Sequence, residues 1–257
     1  MSKNYELLQQ AEFGLGVAST LTIGTSPAPA ENASPGIAGA TQILPSLEPE
    51  VREEALKLVQ RLFLIPREAP PRAVVFAGVD LSVGCNWLCS VTAKLLVKSV
   101  PGSVCLVEGN LRSPSLIDAM ELERDGGLVE SLRSEGTIRE FTRQLGPENL
   151  WLLSAGTPPT QDSAVLLNSD RMKERIRELR KEFDYLIMNA PPLSAFADGM
   201  VLGAMTDGVV LVLEANSTRR EAAVRVTENL RTTKIPVLGA VLNNRTFPIP
   251  AAVYKRL

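Results

Sequence analysis

From Ala73 onward the chain is a succession of short Val/Leu/Ile-rich runs, apolar on consecutive positions, and that pattern restricts the fold more than any other property. The runs fall at 73–78, 103–107, 149–153, 184–189, 208–214 and 237–242, each rich in Val, Leu and Ile. Apolar residues at consecutive positions mark strands covered on both faces, as in a parallel sheet. Helical patterns separate them, at 86–99, 127–134, 137–144, 170–182 and 218–232. In the last but one, Met172, Ile176 and Leu179 stand among many charges, the pattern of an amphipathic surface helix. Such alternation predicts an α/β fold, a three-layer, doubly wound, mostly parallel sheet. Its ligand site should lie beyond the carboxyl ends of the strands.

The region before the first strand divides in two. Residues 1–13 predict an N-terminal helix with Tyr5, Leu8 and Ala11 on a stripe, a helical extension to the domain. Residues 14–49 shift to Ala, Ser, Thr, Gly and Pro, with Pro27, Pro29, Pro35 and Pro45, and read as a flexible linker. Residues 50–257 then form the domain itself. Helical periodicity returns from Glu48 to Leu64 through Val51, Ala55, Leu58 and Leu62, and Pro66, Pro70 and Pro71 close it. A chain of 257 residues holds one sizeable α/β domain. Its net charge of −2 offers no general attraction to nucleic acid or anionic lipid. The absence of histidine excludes Cys/His zinc sites and His-based triads. Cys85, Cys89 and Cys105 make no even disulfide set, so reduced thiols and a cytoplasmic protein are expected. No run approaches the roughly 18–20 apolar residues of a spanning helix, so a membrane connection is expected to go through a partner.

Three strand ends carry polar residues. The first strand runs into Gly78-Val79-Asp80-Leu81-Ser82-Val83-Gly84-Cys85-Asn86, where a phosphate-cradling loop of the GxxxxGK[ST] kind would lie. Such a loop points backbone N–H groups and a helix N-terminus at phosphate oxygens, with Lys for charge and Ser/Thr for Mg²⁺. Gly84 is kept, but Cys85 stands in the lysine position and Asn86 in the metal-binding one, and the earlier glycine is one place early at Gly78. The loop alone reads equally well as an ordinary β–α turn. The second strand ends in Glu108-Gly109-Asn110-Leu111-Arg112-Ser113-Pro114, where Glu108 is a candidate base or metal ligand and Arg112 a candidate phosphate contact. The bland alternative is an Arg–Glu surface pair worth little. The third ends in Asn189-Ala190-Pro191-Pro192, where an amide occupies the acidic position. Asn243, closing the last strand, is a candidate reader of an adenine edge or a simple turn residue.

Together these segments resemble the cytoplasmic domain of bacterial tyrosine kinases (BY-kinases) of capsule and exopolysaccharide synthesis, a MinD/ParA-like branch of the P-loop NTPases. The family's Asp-x-Asp-x-Arg-x-Pro segment is matched by Glu108 to Pro114, and its Asp-x-Pro-Pro with a later Asp by Asn189 to Pro192 and Asp198. Gly127-Leu128, Leu153 to Gly156 and Gly239 to Asn243 match further family turns, so the likeness covers roughly Glu54 to Asn243. The resemblance implies ATP and Mg²⁺ as cofactors if the site works. Ser82, Val83, Gly84, Cys85, Asn86 and Asn243 would hold the nucleotide, and Asn86 and Glu108 the metal. Glu108, Asn110, Arg112 and Asn189 would occupy the catalytic positions. It also implies a membrane-embedded polysaccharide co-polymerase or adaptor as partner, recruitment to the inner face of the membrane, and no nucleic acid. Subunit contact would run through a helix whose Glu-x-x-Arg-x-x-Arg motif is here Glu54, Lys57 and Gln60.

Only Glu108 keeps a carboxylate among the family's three acidic positions, and the lysine is gone. The tail offers one tyrosine, Tyr254, in place of a cluster. Lost cationic and metal-holding groups remove most of the charge that drives phosphoryl transfer. The expected function is a regulatory or scaffolding pseudokinase with a degenerate nucleotide site. The alternative is an active ATP-dependent tyrosine autokinase in which backbone amides, Arg112 and Glu108 compensate. A ParA/MinD-type partitioning ATPase fits less well, because its signature lysine would fall near Asp80.

Overall fold

The computed structural model describes residues 20–22 and 47–244, except 82, 124 and 158–162. The helix expected at 1–13, most of the linker at 14–49, Ser82 and the tail with Tyr254 lie outside the described residues. The eight strands among them are β1 (Thr20–Thr22), β2 (Ala73–Gly78), β3 (Val104–Glu108), β4 (Arg143–Gln144), β5 (Leu150–Leu153), β6 (Tyr185–Ala190), β7 (Gly208–Glu214) and β8 (Val237–Asn243). They form one sheet in the order β1-β8-β7-β2-β6-β3-β5-β4, parallel throughout except where β4 pairs antiparallel with β5. The α-helices are α1 (Pro49–Val59), α2 (Cys85–Ser99), α3 (Leu116–Ala119), α4 (Leu128–Arg133), α5 (Ser163–Leu167), α6 (Asp170–Glu182), α7 (Asp198–Ala204) and α8 (Arg220–Thr232). This is the three-layer, doubly wound arrangement that the apolar runs predict.

Why consecutive apolar residues were needed is visible in β2. Ala73, Val75 and Ala77 face one core with α4, α6, α7 and α8. Val74 and Phe76 face the other, with α1, α2 and α3. Successive side chains of a strand point to opposite faces, so both must be apolar when helices cover both. β3 divides its residues in the same way. No helix among the described residues is long and apolar enough to cross a membrane.

Three expectations need correction. The stretch 137–144 is not an α-helix: Ile138–Phe141 is a single 3₁₀ turn, and Arg143–Gln144 is the edge strand. Glu140 closes that turn by accepting from the Thr137 N–H and hydroxyl, and Thr142 is already extended. Within the stretch read as linker, Thr20–Thr22 pairs in parallel with β8. The helix expected from Glu48 to Leu64 stays α-helical only to Val59 and widens into a π turn over Gln60–Leu64. The short helices α3, α5 and α7 span 4, 5 and 7 residues and leave too little periodicity to read.

One buried charge holds the layer that α4 and α6 form. Arg175, 1% exposed, donates from Nε and Nη2 to the Ser131 carbonyl (2.9 and 2.7 Å) and from Nη2 to that of Ser134 (2.8 Å). It thereby satisfies carbonyls at the end of α4, and it also pairs with the half-exposed Glu178. Arg175→Met should strand those carbonyls and cost about 3 kcal/mol in urea unfolding, whereas Glu178→Gln should cost under about 1 kcal/mol. Equal losses would place the stabilisation in the ion pair.

Candidate functional site

At the centre of the sheet the chain order reverses direction: β2 lies between β7 and β6, and β6 lies between β2 and β3. Phe76, Asn189 and Glu108 are register neighbours on β2, β6 and β3, so three strand ends stop side by side. Beyond them opens a cleft of about 290 Å³, and Val83, Gly84, Cys85, Asn86, Asn110, Arg112 and Asn189 line it. Glu108 and Asn243 do not line it. A larger groove between α6 and α7, about 480 Å³, lies away from the strand ends. Two of its cations are already paired, Lys173 with Asp170 and Arg180 with Asp207.

The loop after β2 is shaped by close approaches. Gly84 sits at φ 72°, in the left-handed region, and a Cβ there would meet Asn243 Nδ2 at 2.6 Å. Gly78 is needed for a different reason: its Cβ would meet Val83 Cγ2 at 2.6 Å, so the turn could not close. Asn243 is fully buried behind the loop and donates to the Val83 carbonyl (2.9 Å). Its amide braces the loop from beneath, a role the sequence did not suggest. α2 starts at Cys85 with no side-chain cap, so its positive end faces the cleft, the arrangement that suits an anion.

Glu108 is only 1% exposed, and each of its carboxylate oxygens accepts twice. Oε1 takes the Asn110 N–H (3.1 Å) and Asn189 Nδ2 (2.8 Å), while Oε2 takes the Ser115 and Leu116 N–H groups (both 2.9 Å). Burial raises its pKa above the ordinary carboxyl range, and these hydrogen bonds offset part of that rise. Asn189, 2% exposed, keeps its Oδ1 without a partner among the described residues. Arg112 does not pair with Glu108. It forks onto Asp198, Nε to Oδ2 at 2.6 Å and Nη2 to Oδ1 at 3.1 Å, and stacks 4.3 Å from the Phe196 ring centroid. Asp198 was legible as the later acid of its motif; nothing in the sequence pointed to Phe196. Cys89, one turn below Cys85 in α2, is fully buried; burial and then contact with Cys85 push its thiol well up.

Divalent cations take several hard oxygen ligands. Here Asn86 Oδ1 accepts from the Trp87 N–H (2.8 Å), and Glu108 has no lone pair left for a metal. Among the described residues no group of three His, Cys, Asp or Glu is placed to hold one. As placed, Glu108 is therefore closed to a metal, whereas Asn86 Oδ1 keeps a second lone pair. The start of α2 does offer its positive end to an anion such as a phosphate.

No protein-family model matches the chain. It is 34% identical over 142 residues to the tyrosine-protein kinase YwqD of Bacillus subtilis, covering 55% of this chain and 60% of that one. With the putative tyrosine-protein kinase CapB of Staphylococcus aureus it shares 26% over 138 residues, 54% and 60% of the two chains. It thus spans less than two thirds of these relatives. The kinase domain of Escherichia coli tyrosine kinase ETK superposes with a TM-score of 0.79 at 19% identity, covering 98% of this chain and 99% of that one. The chimerical protein CapA2B2 gives 0.78 at 18%, covering 93% and 100%. MinD- and ParA-type ATPases share the fold more distantly. The likeness to bacterial tyrosine kinases that the strand-end motifs suggest is thus found twice, in sequence with YwqD and CapB and in fold with their kinase-domain counterparts.

Proposed function

We propose that this chain is a BY-kinase-like protein of capsule or exopolysaccharide synthesis that acts as a regulatory or scaffolding pseudokinase. It would be recruited to the inner face of the membrane by a membrane-embedded polysaccharide co-polymerase. The observation that carries this reading is the Glu108 carboxylate, the one acid left of three, whose four hydrogen bonds hold the segment from Asn110 to Leu116 and the end of β6. A group used four times over as a structural hub is not available to a metal. Beside it, Cys85 brings no cation to the loop, and Arg112 is neutralised by Asp198. What persists is a backbone cradle and the surface around it. Self-association would use the outer side of α1 and the start of the π turn after it, where Lys57 pairs with Glu54 (2.7 Å) and Gln60 is exposed.

Within a pseudokinase the remaining residues have structural work to do. Asn189 in the acidic position gives Glu108 a donor, where an aspartate would set two carboxylates against each other in a dry site. Like charges so placed force one of the pair to take up a proton. The substitution is therefore coupled to Glu108: each side chain suits the other only while no cation sits between them.

Three outcomes test this. Calorimetry with ATP or ADP should give no Mg²⁺-dependent binding, and incubation with MgATP should give no phosphotyrosine. Mg²⁺-dependent labelling of Tyr254 would replace this reading with that of an active autokinase. The triple change Cys85→Lys, Asn86→Ser and Asn189→Asp should raise Mg²⁺-nucleotide affinity at least about tenfold, roughly 1.4 kcal/mol. Unchanged affinity would mean that those side chains are not what the site lacks. The second outcome concerns Asn189→Asp alone, which should destabilise the protein by about 3 kcal/mol in urea, through the lost hydrogen bond and the buried like charge. A neutral effect would remove the coupling to Glu108. The third is a pH dependence. Because the folded pKa of Glu108 lies above its unfolded value, its stabilisation is fully present below the ordinary glutamate range and is lost as pH rises through the folded value. The unfolding free energy of the wild type minus that of Glu108→Gln should therefore shrink as pH rises from acid to neutral. A difference independent of pH would show that Glu108 titrates normally.

A further inference from the structure

Two amphipathic helices, α6 and α8, cover the same face of the sheet and differ in how their charges are met. On α6, Arg171 pairs with Glu174, Lys173 with Asp170, Arg175 with Glu178 and Arg180 with Asp207. From Arg219 to Lys234, which spans α8 and its two flanks, five cations stand against two acids, Glu221 and Glu228, in a chain of net charge −2. Arg219, Arg220, Arg225, Arg231 and Lys234 are all exposed. Among the described residues no ion pair involves Arg225, Arg231 or Lys234. Asp207 and Glu214, which bracket the strand that α8 follows, are engaged elsewhere: Asp207 accepts from Arg180 (2.7 Å) and Glu214 from Asn244 (3.0 Å). Packing settles the inner side of α8, since Ala222, Val226 and Leu230 lie in the core. On the outer side Arg220, Val224 and Arg231 follow one another at helical spacing and fall on one stripe, about 17 Å long at 1.5 Å of rise per residue. Val224, in the middle of it, is 45% exposed.

We propose that the outer face of α8 is a docking surface for an anionic phospholipid bilayer. A basic helix face with an exposed apolar residue among its cations suits the boundary between headgroups and acyl chains. The arginines meet lipid phosphates, and Val224 enters the boundary between them. A valine offers nothing to a nucleic-acid backbone, and a flat surface touches this stripe with Glu221 and Glu228 to one side, whereas the groove of a duplex would wrap both. Each Lys or Arg close to an anionic bilayer raises partition about fivefold, so an excess of three gives a preference over neutral lipid on the order of a hundredfold. That is a reversible attachment, which needs a second signal to become stable. Because the chain as a whole is slightly acidic, the attraction acts only in the orientation that turns α8 to the lipid. In that orientation α1, on the opposite face of the sheet, points away from the bilayer and stays free. The inference needs no ligand in the cleft and is independent of the pseudokinase reading.

Sedimentation of the full chain with vesicles tests this. At about 0.1 M salt, where exposed charges act over roughly 10 Å, the protein should pellet with vesicles of mixed phosphatidylcholine and phosphatidylglycerol and stay in solution with phosphatidylcholine alone. Salt at about 1 M should release it. Arg225→Glu combined with Arg231→Glu should weaken binding to the anionic vesicles at least about tenfold. Val224→Ser should weaken it too, with the salt dependence unchanged. Arg52→Glu combined with Arg67→Glu alters the net charge by the same amount at exposed positions away from α8, and should bind as the wild type does. Melting curves matching that of the wild type exclude unfolding as a cause. The proposal fails if anionic vesicles are bound no better than neutral ones, if the α8 pair binds as the wild type does, or if the Arg52 and Arg67 pair loses as much. Tighter binding to duplex DNA than to anionic vesicles, lost in the same α8 pair, overturns it in favour of a nucleic-acid surface.

Discussion

The hydrogen bond between Asn189 and Glu108 joins the ends of β6 and β3 at the floor of the cleft, and much of the surrounding backbone is arranged on it. Glu108 closes β3, and its carboxylate then gathers the N–H groups of Asn110, Ser115 and Leu116, fixing the turn that carries Arg112 toward the cleft. A buried carboxylate is tolerated only when its lone pairs are satisfied, and four donors achieve that here. The same saturation withdraws the group from chemistry. Four protein donors hold all of its lone pairs.

On the other side of the cleft the loop after β2 is stabilised without reference to a ligand. Asn243 reaches it from the last strand and meets both the Val83 carbonyl and the space above Gly84. The segment after β6 is tied to it as well, since the Leu193 and Ser194 N–H groups donate to the Gly78 and Val79 carbonyls (2.9 and 3.0 Å). A cradle braced by β8 and by the segment after β6 is held through protein contacts. That accounts for how Gly84 and the start of α2 hold their geometry.

The sheet was legible because burial on both faces imposes a local signature, consecutive apolar residues, which survives whatever the site does. The 3₁₀ turn at Ile138–Phe141 was not, because its helix-like composition is overruled by the Thr137–Glu140 closure and by the strand pairing of Arg143 with Leu152. At the site, position along the chain told which residues stand at strand ends, but not what they touch. Arg112 and Asp198 are 86 residues apart, and their pairing depends on how α7 follows β6. Asn243 was a candidate ligand reader because it closes a strand at the end of the sheet where doubly wound folds bind ligands, with a turn residue as the alternative. Its burial beneath Gly84 is set by the left-handed turn, a backbone property with no side-chain signal of its own.

The charge around the cleft bears directly on what the fold can still do. A unit charge about 4 Å away is worth roughly 4 kcal/mol at the effective dielectric of a protein surface. A phosphate arriving here finds the backbone N–H groups of α2, a thiol where a cation would stand, and an arginine already held at 2.6 Å by Asp198. Arg112 gives Nε and Nη2 to that carboxylate, which is 5% exposed, so the pair meets the phosphate with its charge largely cancelled. Whatever the cleft admits therefore meets shape and dipoles with little net positive charge. On the pseudokinase reading proposed above, such a site suits recognition that depends on the conformation of the loop better than stabilisation of a transferring phosphoryl group, whose growing charge needs cations to oppose it.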